Sequence, residues 1–279
     1  MSKKKKIDSK EVGLVAGIIL GKTLFKTDDL HYGYWTPDLK LEIQNIVHAQ
    51  ENHSNFIISN IPEGVKTILD VGCGAGALAK RLLAKGYQVD CVSPSMLLTR
   101  EAKKLTGGKA HIFESTYEGV ETDKQYDLVI FSESYQYINL QKSLTQTARF
   151  LKDGGHMLIC DFFETDAKGE SALGGGHKLA EFYETIKKYP FKNLKDIDIT
   201  KFTSPNLVLI DQILKQMGLP IWELIHEMLS NNHPTIYKLL TWKYKKKIDK
   251  INRKYFSGAR NGENFEIFKS YRLMLYKKQ

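Results

Sequence analysis

The chain has 279 residues, with 41 lysines and arginines against 32 aspartates and glutamates and a formal charge of +9. That length suits one α/β core of roughly 200 residues with appended helices, and its three cysteines, Cys73, Cys91 and Cys160, form no CxxC pair or Cys/His cluster, which argues against a structural zinc or a disulfide framework. The positive charge gathers at Lys3–Lys6 and between Lys238 and Tyr255. It reads first as a solvated face and then as a surface for an acidic partner or an anionic membrane; with no binding motif beside it, nucleic acid is not expected.

In chain order, the N-terminus places basic residues before an apolar run, Val12 to Leu20, like a secretory signal. No small-residue cleavage site follows and the run is too short to span a bilayer, so the expectation is a helix packed on a cytoplasmic protein, with peripheral membrane contact left open. Residues 1–60 form a helical extension carrying "DDLHYGYW", Asp28 to Trp35. Between Val65 and Phe163, short runs rich in Ile, Val and Leu alternate with segments of helical spacing, from "KTILDVG" to "HMLICDFF". That alternation predicts a doubly wound α/β domain around a mainly parallel sheet, with the core at residues 61–165. Residues 166–265 hold "GGGH", "DITKFTSPNL" and helical stretches around Trp222 and Trp242, read as a substrate-binding lid with remaining core elements. Residues 266–279 supply a final strand, "KSYRLMLYKK". A lid inserted before that strand would cover the carboxyl ends of the sheet, where open α/β folds bind ligands.

The segment "ILDVGCGAGALAKRLL" runs from strand through Gly72, Gly74 and Gly76 into a helix, so that the backbone turns tightly and a ligand can approach without a Cβ in the way. Glycine spacing alone fits a dinucleotide fold equally well. "LDVGCGAG", however, resembles the first motif of class I S-adenosylmethionine-dependent methyltransferases, and "YDLVIFSESYQYI" and "LKDGGHMLI" resemble that family's fourth strand and the entry to its fifth. The resemblance implies a Rossmann-like methyltransferase fold with S-adenosyl-L-methionine as cofactor. It further implies that Asp70 helps place the cofactor's aminoacyl end, that the three glycines admit its body, and that Tyr32 in "HYGYW" and Ser132 at the tip of the fourth strand lie near it. For Tyr32 and Tyr34, an aromatic plug between extension and core weighs equally with cofactor contact.

Family members carry a ribose-binding carboxylate at the tip of the second strand. In "YQVDCVSPS" that tip is Ser93, and Asp90 lies three residues earlier, about 10 Å along the strand and facing the other way. Ser93 and Ser95 therefore stand for the missing acid, as in the cyclopropane fatty acid synthase branch, while Asp90 is expected at solvent or beside a basic residue. The adenine edge falls at Ser115 or Thr116.

Methyl transfer from a sulfonium is an in-line displacement that asks mainly for alignment and exclusion of water, and for a base only when the acceptor must lose a proton. Glu133 and Tyr135 follow the fourth strand beside the expected methyl group, and His177, on a glycine-rich loop, is the candidate base, with Asp161 a comparable acid. Where the cyclopropane synthases have "FEHF", this chain has "YQYI", which favours plain methyl transfer. The leading reading is methyl transfer to a small-molecule or lipid-like acceptor. The alternatives are an RNA or protein methyltransferase and a cofactor-binding partner module without catalysis. No metal site is expected.

Overall fold

In "TILDV", "DLVIF" and "MLICDFF" alternate residues enter opposite apolar layers, so both faces of the sheet are covered and the strands read as unbroken hydrophobic runs. The computed structural model describes residues 17–19, 21–169 and 171–279. Seven strands form one sheet in the order β3-β2-β1-β4-β5-β7-β6, comprising β1 (Thr67–Val71), β2 (Gln88–Val92), β3 (His111–Phe113), β4 (Tyr126–Ser132), β5 (Leu151–Glu164), β6 (Phe191–Asp198) and β7 (Lys269–Lys278). β1 to β5 pair in parallel, whereas β7 runs antiparallel between β5 and β6. One layer gathers Ile68, Cys91, Leu128, Ile130 and Leu158. The other gathers Leu69, Val71, Val129, Phe131 and Met157.

The helices of the core are α1 (Ile46–Ser59), α2 (Ala77–Ala84), α3 (Met96–Leu105), α4 (Leu140–Phe150) and α5 (Leu179–Ile186). The expected lid lies between β6 and β7 as α6 (Thr200–Thr203), α7 (Pro205–Ile213), α8 (Leu219–Asn232), α9 (Pro234–Ile251) and α10 (Gly262–Phe268), with short π-turns joining α7 to α8 and following α9. Because β6 is antiparallel to β7 and β7 to β5, β6 ends and β7 begins at the edge where the parallel strands end. The lid therefore springs from the same edge as the glycine loop.

The N-terminal extension is only partly helical. Apart from Gly17–Ile19, the apolar run Val12–Leu20 lies outside the described residues. Residues 26–42 form an irregular strap that starts at Lys26, whose φ of 57° is left-handed, and precedes α1. Gly33 lies in the strap where a Cβ would sit 2.4 Å from that of Ala49 on α1, so the strap can press onto the helix only at a glycine. Among the described residues, no helix is long and apolar enough to cross a membrane and no group of three or more side chains could hold a metal ion.

Candidate active site

The carboxyl edge begins at the turn after β1. Gly72, Gly74 and Gly76 all have positive φ (75°, 55° and 87°), and the Gly72 and Cys73 amides donate to the Val92 carbonyl, which ties the loop to the tip of β2. The glycines serve different purposes. A Cβ on Gly72 would lie 2.4 Å from that of Ser134, and one on Gly76 3.0 Å from Ala102, whereas at Gly74 the nearest atom is Leu30 Cδ1 at 3.5 Å. Two of them admit protein, and Gly74 faces the strap. Asp70, 1% exposed, leaves Oδ2 buried without a hydrogen-bond partner among the described residues, and burial raises its carboxyl to about 7.

Strand pairing sets Leu69 opposite Asp90 and Val71 opposite Val92, so Ser93 is the first residue past the tip of β2 and Asp90 belongs to the strand body. The Asp90 carboxylate accepts from Lys124 at 2.8 Å and from the Tyr126 hydroxyl at 2.8 Å. Ser93 is buried, and its only described side-chain bond is a long one from the Ser95 amide at 3.4 Å. Ser95 caps α3, its oxygen accepting from the Leu98 amide at 3.3 Å. Further along the edge, Ser115 is half-buried and Thr116 exposed, before a short 3-10 turn. Ser132 points a buried, unpartnered hydroxyl from the end of β4.

A charged network holds the strap over this edge. Arg81 on α2 grips Asp29 with two bonds of 2.7 and 2.6 Å. His31 sets Nε2 3.1 Å from Asp29 and Nδ1 2.9 Å from the Tyr32 carbonyl, so both ring nitrogens must donate. Burial alone would lower the His31 pKa, but the hydrogen bond and charge of Asp29 outweigh it and raise it. The other side of the strap is held by Glu133, whose Oε1 accepts from the Tyr32 amide and the Tyr271 hydroxyl, both at 2.8 Å. Tyr271 in turn accepts from His53 Nε2 at 2.9 Å, and burial, reinforced by the neighbouring charge of His31, keeps His53 neutral. Glu133 takes up this position in the left-handed region, φ 51°, a conformation that costs a non-glycine residue about 1–3 kcal/mol and persists where its surroundings fix it. Asn206 on α7 joins strap to lid. Its oxygen accepts from the Gly33 amide (2.8 Å) and the Trp35 indole (3.1 Å), and its amide donates to the Gly33 carbonyl (2.7 Å).

On the side towards the lid, Tyr32 stacks near Phe162 and meets Phe265 edge-on, and burial together with the Glu133 charge pushes its hydroxyl up to about 12. Tyr34 is sandwiched between Phe56 and Phe202 and is the aromatic plug of the pair. Asp161 is fully buried. It accepts from Gln136 N and Nε2 (both 3.1 Å) and from the Phe162 amide (2.8 Å), while burial and the Glu133 charge raise it to about 8. Tyr137 is exposed. The structure separates the two remaining candidates from this group. Tyr135 is wholly buried in the opposite apolar layer among Phe131, Phe163 and Phe182, and its hydroxyl accepts from Ser143 at 3.0 Å. The aromatic packing that made it look like a lid residue is core packing, which removes it from reach of an acceptor. His177 Nε2 lies 2.9 Å from the Ile138 carbonyl and 3.2 Å from that of Tyr135, so it clasps the loop after β4.

A model of the methyltransferase domain matches residues 48–224. The chain belongs to the methyltransferase domain family. Ubiquinone biosynthesis O-methyltransferase of Rickettsia akari (strain Hartford) is 25% identical over 262 residues, covering 88% of this chain and 94% of the relative. Among solved structures, geranyl diphosphate C-methyltransferase from Streptomyces coelicolor A3(2) aligns with a TM-score of 0.66 at 14% identity, covering 90% of this chain and 91% of the other. The cyclase SpnF aligns with a TM-score of 0.65 at 16% identity, covering 97% and 96%. At those identities the likeness is one of fold, and a cyclase among the neighbours shows how little the fold alone fixes.

S-adenosylmethionine is the cofactor of this methyltransferase, and the carboxyl edge suits it. Three glycines in left-handed conformations turn the backbone back at the end of β1, and the buried, unpartnered oxygens of Asp70 and Ser132 converge on the same edge, where each would remain costly without a ligand or water. Sequence reasoning missed Asp29, Arg81, Asn206 and Tyr271. Asp29 stood within the quoted "DDLHYGYW" without a partner to mark it. Arg81, Asn206 and Tyr271 act across 52, 173 and 138 residues respectively, separations that no local pattern reports.

Proposed function

We propose that this methyltransferase acts on a small-molecule or lipid-like acceptor held between the strap, the tips of β4 and β5, and the lid. The observation that carries the reading is the bracing of the strap between sheet and lid. Asn206 ties strap to lid, Glu133 ties strap to sheet, and Tyr32, Phe162 and Phe265 line the junction with aromatic surface. A polymeric acceptor would want an open groove at this point. The ubiquinone biosynthesis O-methyltransferase to which the chain is similar is in keeping with an acceptor of this kind.

The cofactor, when bound, supplies an electrophilic methyl group on a sulfonium. In this reading Asp70 holds the amino-acid end, the left-handed turn through Gly72, Gly74 and Gly76 keeps the edge open to it, Ser93 takes the ribose in place of a carboxylate, and Ser115 or Thr116 borders the adenine. Ser132 and Tyr32 adjoin its reactive end, and Ser95 chiefly caps α3. Glu133 is a positioning residue that sets the strap, Asp161 sets Gln136, and His177 sets the loop after β4. With these groups engaged in bracing, the acceptor is one that presents a lone pair or ionises readily, such as a phenol, and catalysis rests on alignment and exclusion of water.

Two measurements test this. Calorimetric titration should show S-adenosylhomocysteine binding and no NAD binding. Methyl transfer from labelled S-adenosylmethionine into fractionated metabolite and lipid extracts should label the small-molecule fraction. Label appearing only in RNA or protein would overturn the proposed acceptor class, and binding without transfer to any fraction would favour a non-catalytic module.

A further inference from the structure

Helices α8 and α9 form a hairpin that touches itself more than the body. Its inner seam is made by Trp222 and His226 against Tyr237 and Phe256, with the Trp222 indole bonded to Asn252 at 3.1 Å. Neither helix contains a buried residue. Away from the seam, Met217, Ile221, Leu224, Ile225 and Met228 recur at spacings of four, three, one and three, which places them on one continuous face leading into and along α8. They are 42–65% exposed. On α9, Ile236 and Leu239 are equally open and Trp242 is 79% exposed. Apolar surface of this extent is what a soluble chain normally covers.

The charge indicates what covers it. Residues 219–256 carry eight basic and three acidic side chains. Lys243, Lys246, Lys247 and Lys250 continue the face of α9 begun by Ile236, Leu239 and Leu240, and Lys245 is already paired with Asp249 at 2.9 Å. A two-fold contact between copies would oppose this basic patch to itself. We infer that the α8–α9 hairpin docks on an anionic phospholipid surface, its leucines, isoleucines and Trp242 entering the interface while the lysines meet the headgroups. The hairpin springs from the carboxyl edge, so docking sets the lid and the candidate site against the bilayer. The inference does not depend on the identity of the methyl acceptor.

Co-sedimentation of the full chain with vesicles of phosphatidylcholine, with and without phosphatidylglycerol, tests it. Binding is expected to the mixed vesicles, to be weaker by about tenfold or more on pure phosphatidylcholine, and to fall as salt is raised. Leu224→Ser combined with Trp242→Ser, and separately Lys246→Glu combined with Lys247→Glu, should each weaken binding by about tenfold or more while leaving S-adenosylhomocysteine affinity unchanged, which also verifies that the variants fold. Equal binding to both vesicle types, indifference to the variants, or absence of vesicle binding would overturn the inference. A concentration-dependent dimer that Leu224→Ser with Trp242→Ser dissolves, in the absence of vesicle binding, would assign the face to a second copy.

Discussion

The glycine loop and the α8–α9 hairpin rise from the same edge of one sheet, yet they are built by opposite rules. Around the loop the backbone and the strap are fixed by close neighbours: Gly72 by Ser134, Gly76 by Ala102, Asp29 by Arg81 and Gly33 by Asn206. The hairpin leaves its large apolar residues in the open and pairs with little but itself. The cofactor side therefore has one arrangement, in which small changes of volume are costly. The hairpin has room to change partner, and substitutions there should be read in binding and hardly at all in stability.

The largest expected effect that would sharpen this contrast is Gly72→Ala. Its methyl would have to overlap Ser134 Cβ at 2.4 Å from a left-handed backbone, and about 3–5 kcal/mol of stability should be lost together with S-adenosylhomocysteine binding. Urea unfolding and calorimetry would read both. Asn206→Ala comes next. It strips the Gly33 amide, the Gly33 carbonyl and the Trp35 indole of one shared partner, so about 2–4 kcal/mol should go, because buried donors are left unpaired. Leu224→Ser on the hairpin should fall within about 0.5 kcal/mol of the parent in the same unfolding series. A hairpin variant that destabilised as much as Asn206→Ala would break the comparison.

The effect at Asp70 has a definite sign. Its folded carboxyl stands at about 7 through burial, while an unfolded aspartate titrates near about 3.9. The folded chain thus holds the proton more tightly, and the stability of the cofactor-free protein should decline as pH rises from about 4 to about 7 and then level off. Asp70→Asn removes the Asp70 share of that decline and leaves the share of Asp161, which burial also raises, so its advantage in thermal unfolding over the parent should grow across this window. Cofactor affinity should change the other way. The parent should bind S-adenosylhomocysteine less well below pH 7, as Asp70 takes up its proton, and Asp70→Asn should bind weakly with a flat pH profile. Parent and Asp70→Asn profiles that run parallel from pH 4 to 7 would show that Asp70 is not held in this state.

How much of this could be read in the sequence follows from where the information lies. The parallel strands and the loop after β1 were legible because burial on both faces writes long apolar runs, and a strand-to-glycine-to-helix turn is local. β6 carries no such signal: "FKNLKDID" is a mostly exposed edge strand, and pairing with β7 imposes no apolar alternation on it. The sequence does not place Tyr135, because an aromatic after β4 serves core and pocket equally well. Only the structure shows its hydroxyl turned to Ser143. Position alone marks Glu133 as a candidate for chemistry. Its bonds to the Tyr32 amide and the Tyr271 hydroxyl, which make it a brace, span more than a hundred residues each.

The smallest effect tests the reading of the β2 tip. Ser93 lies one residue beyond the last β1–β2 pair and is buried with, among the described residues, a single long bond at its hydroxyl. Asp90 is three residues back, its carboxylate already engaged by Lys124 and Tyr126 at 2.8 Å. A hydroxyl contributes about 0.5–1.5 kcal/mol when it bonds a ligand, so Ser93→Ala should weaken S-adenosylhomocysteine binding by about three- to tenfold with little change in stability. Asp90→Asn should do the reverse, leaving affinity within about twofold and moving only the unfolding midpoint, since a partly exposed ion pair is worth about 1 kcal/mol or less. If Asp90→Asn instead weakened binding more than Ser93→Ala, the ribose would have to be met by a residue that the strand pairing places away from the edge, and the cofactor could not lie along the tips of β1 and β2.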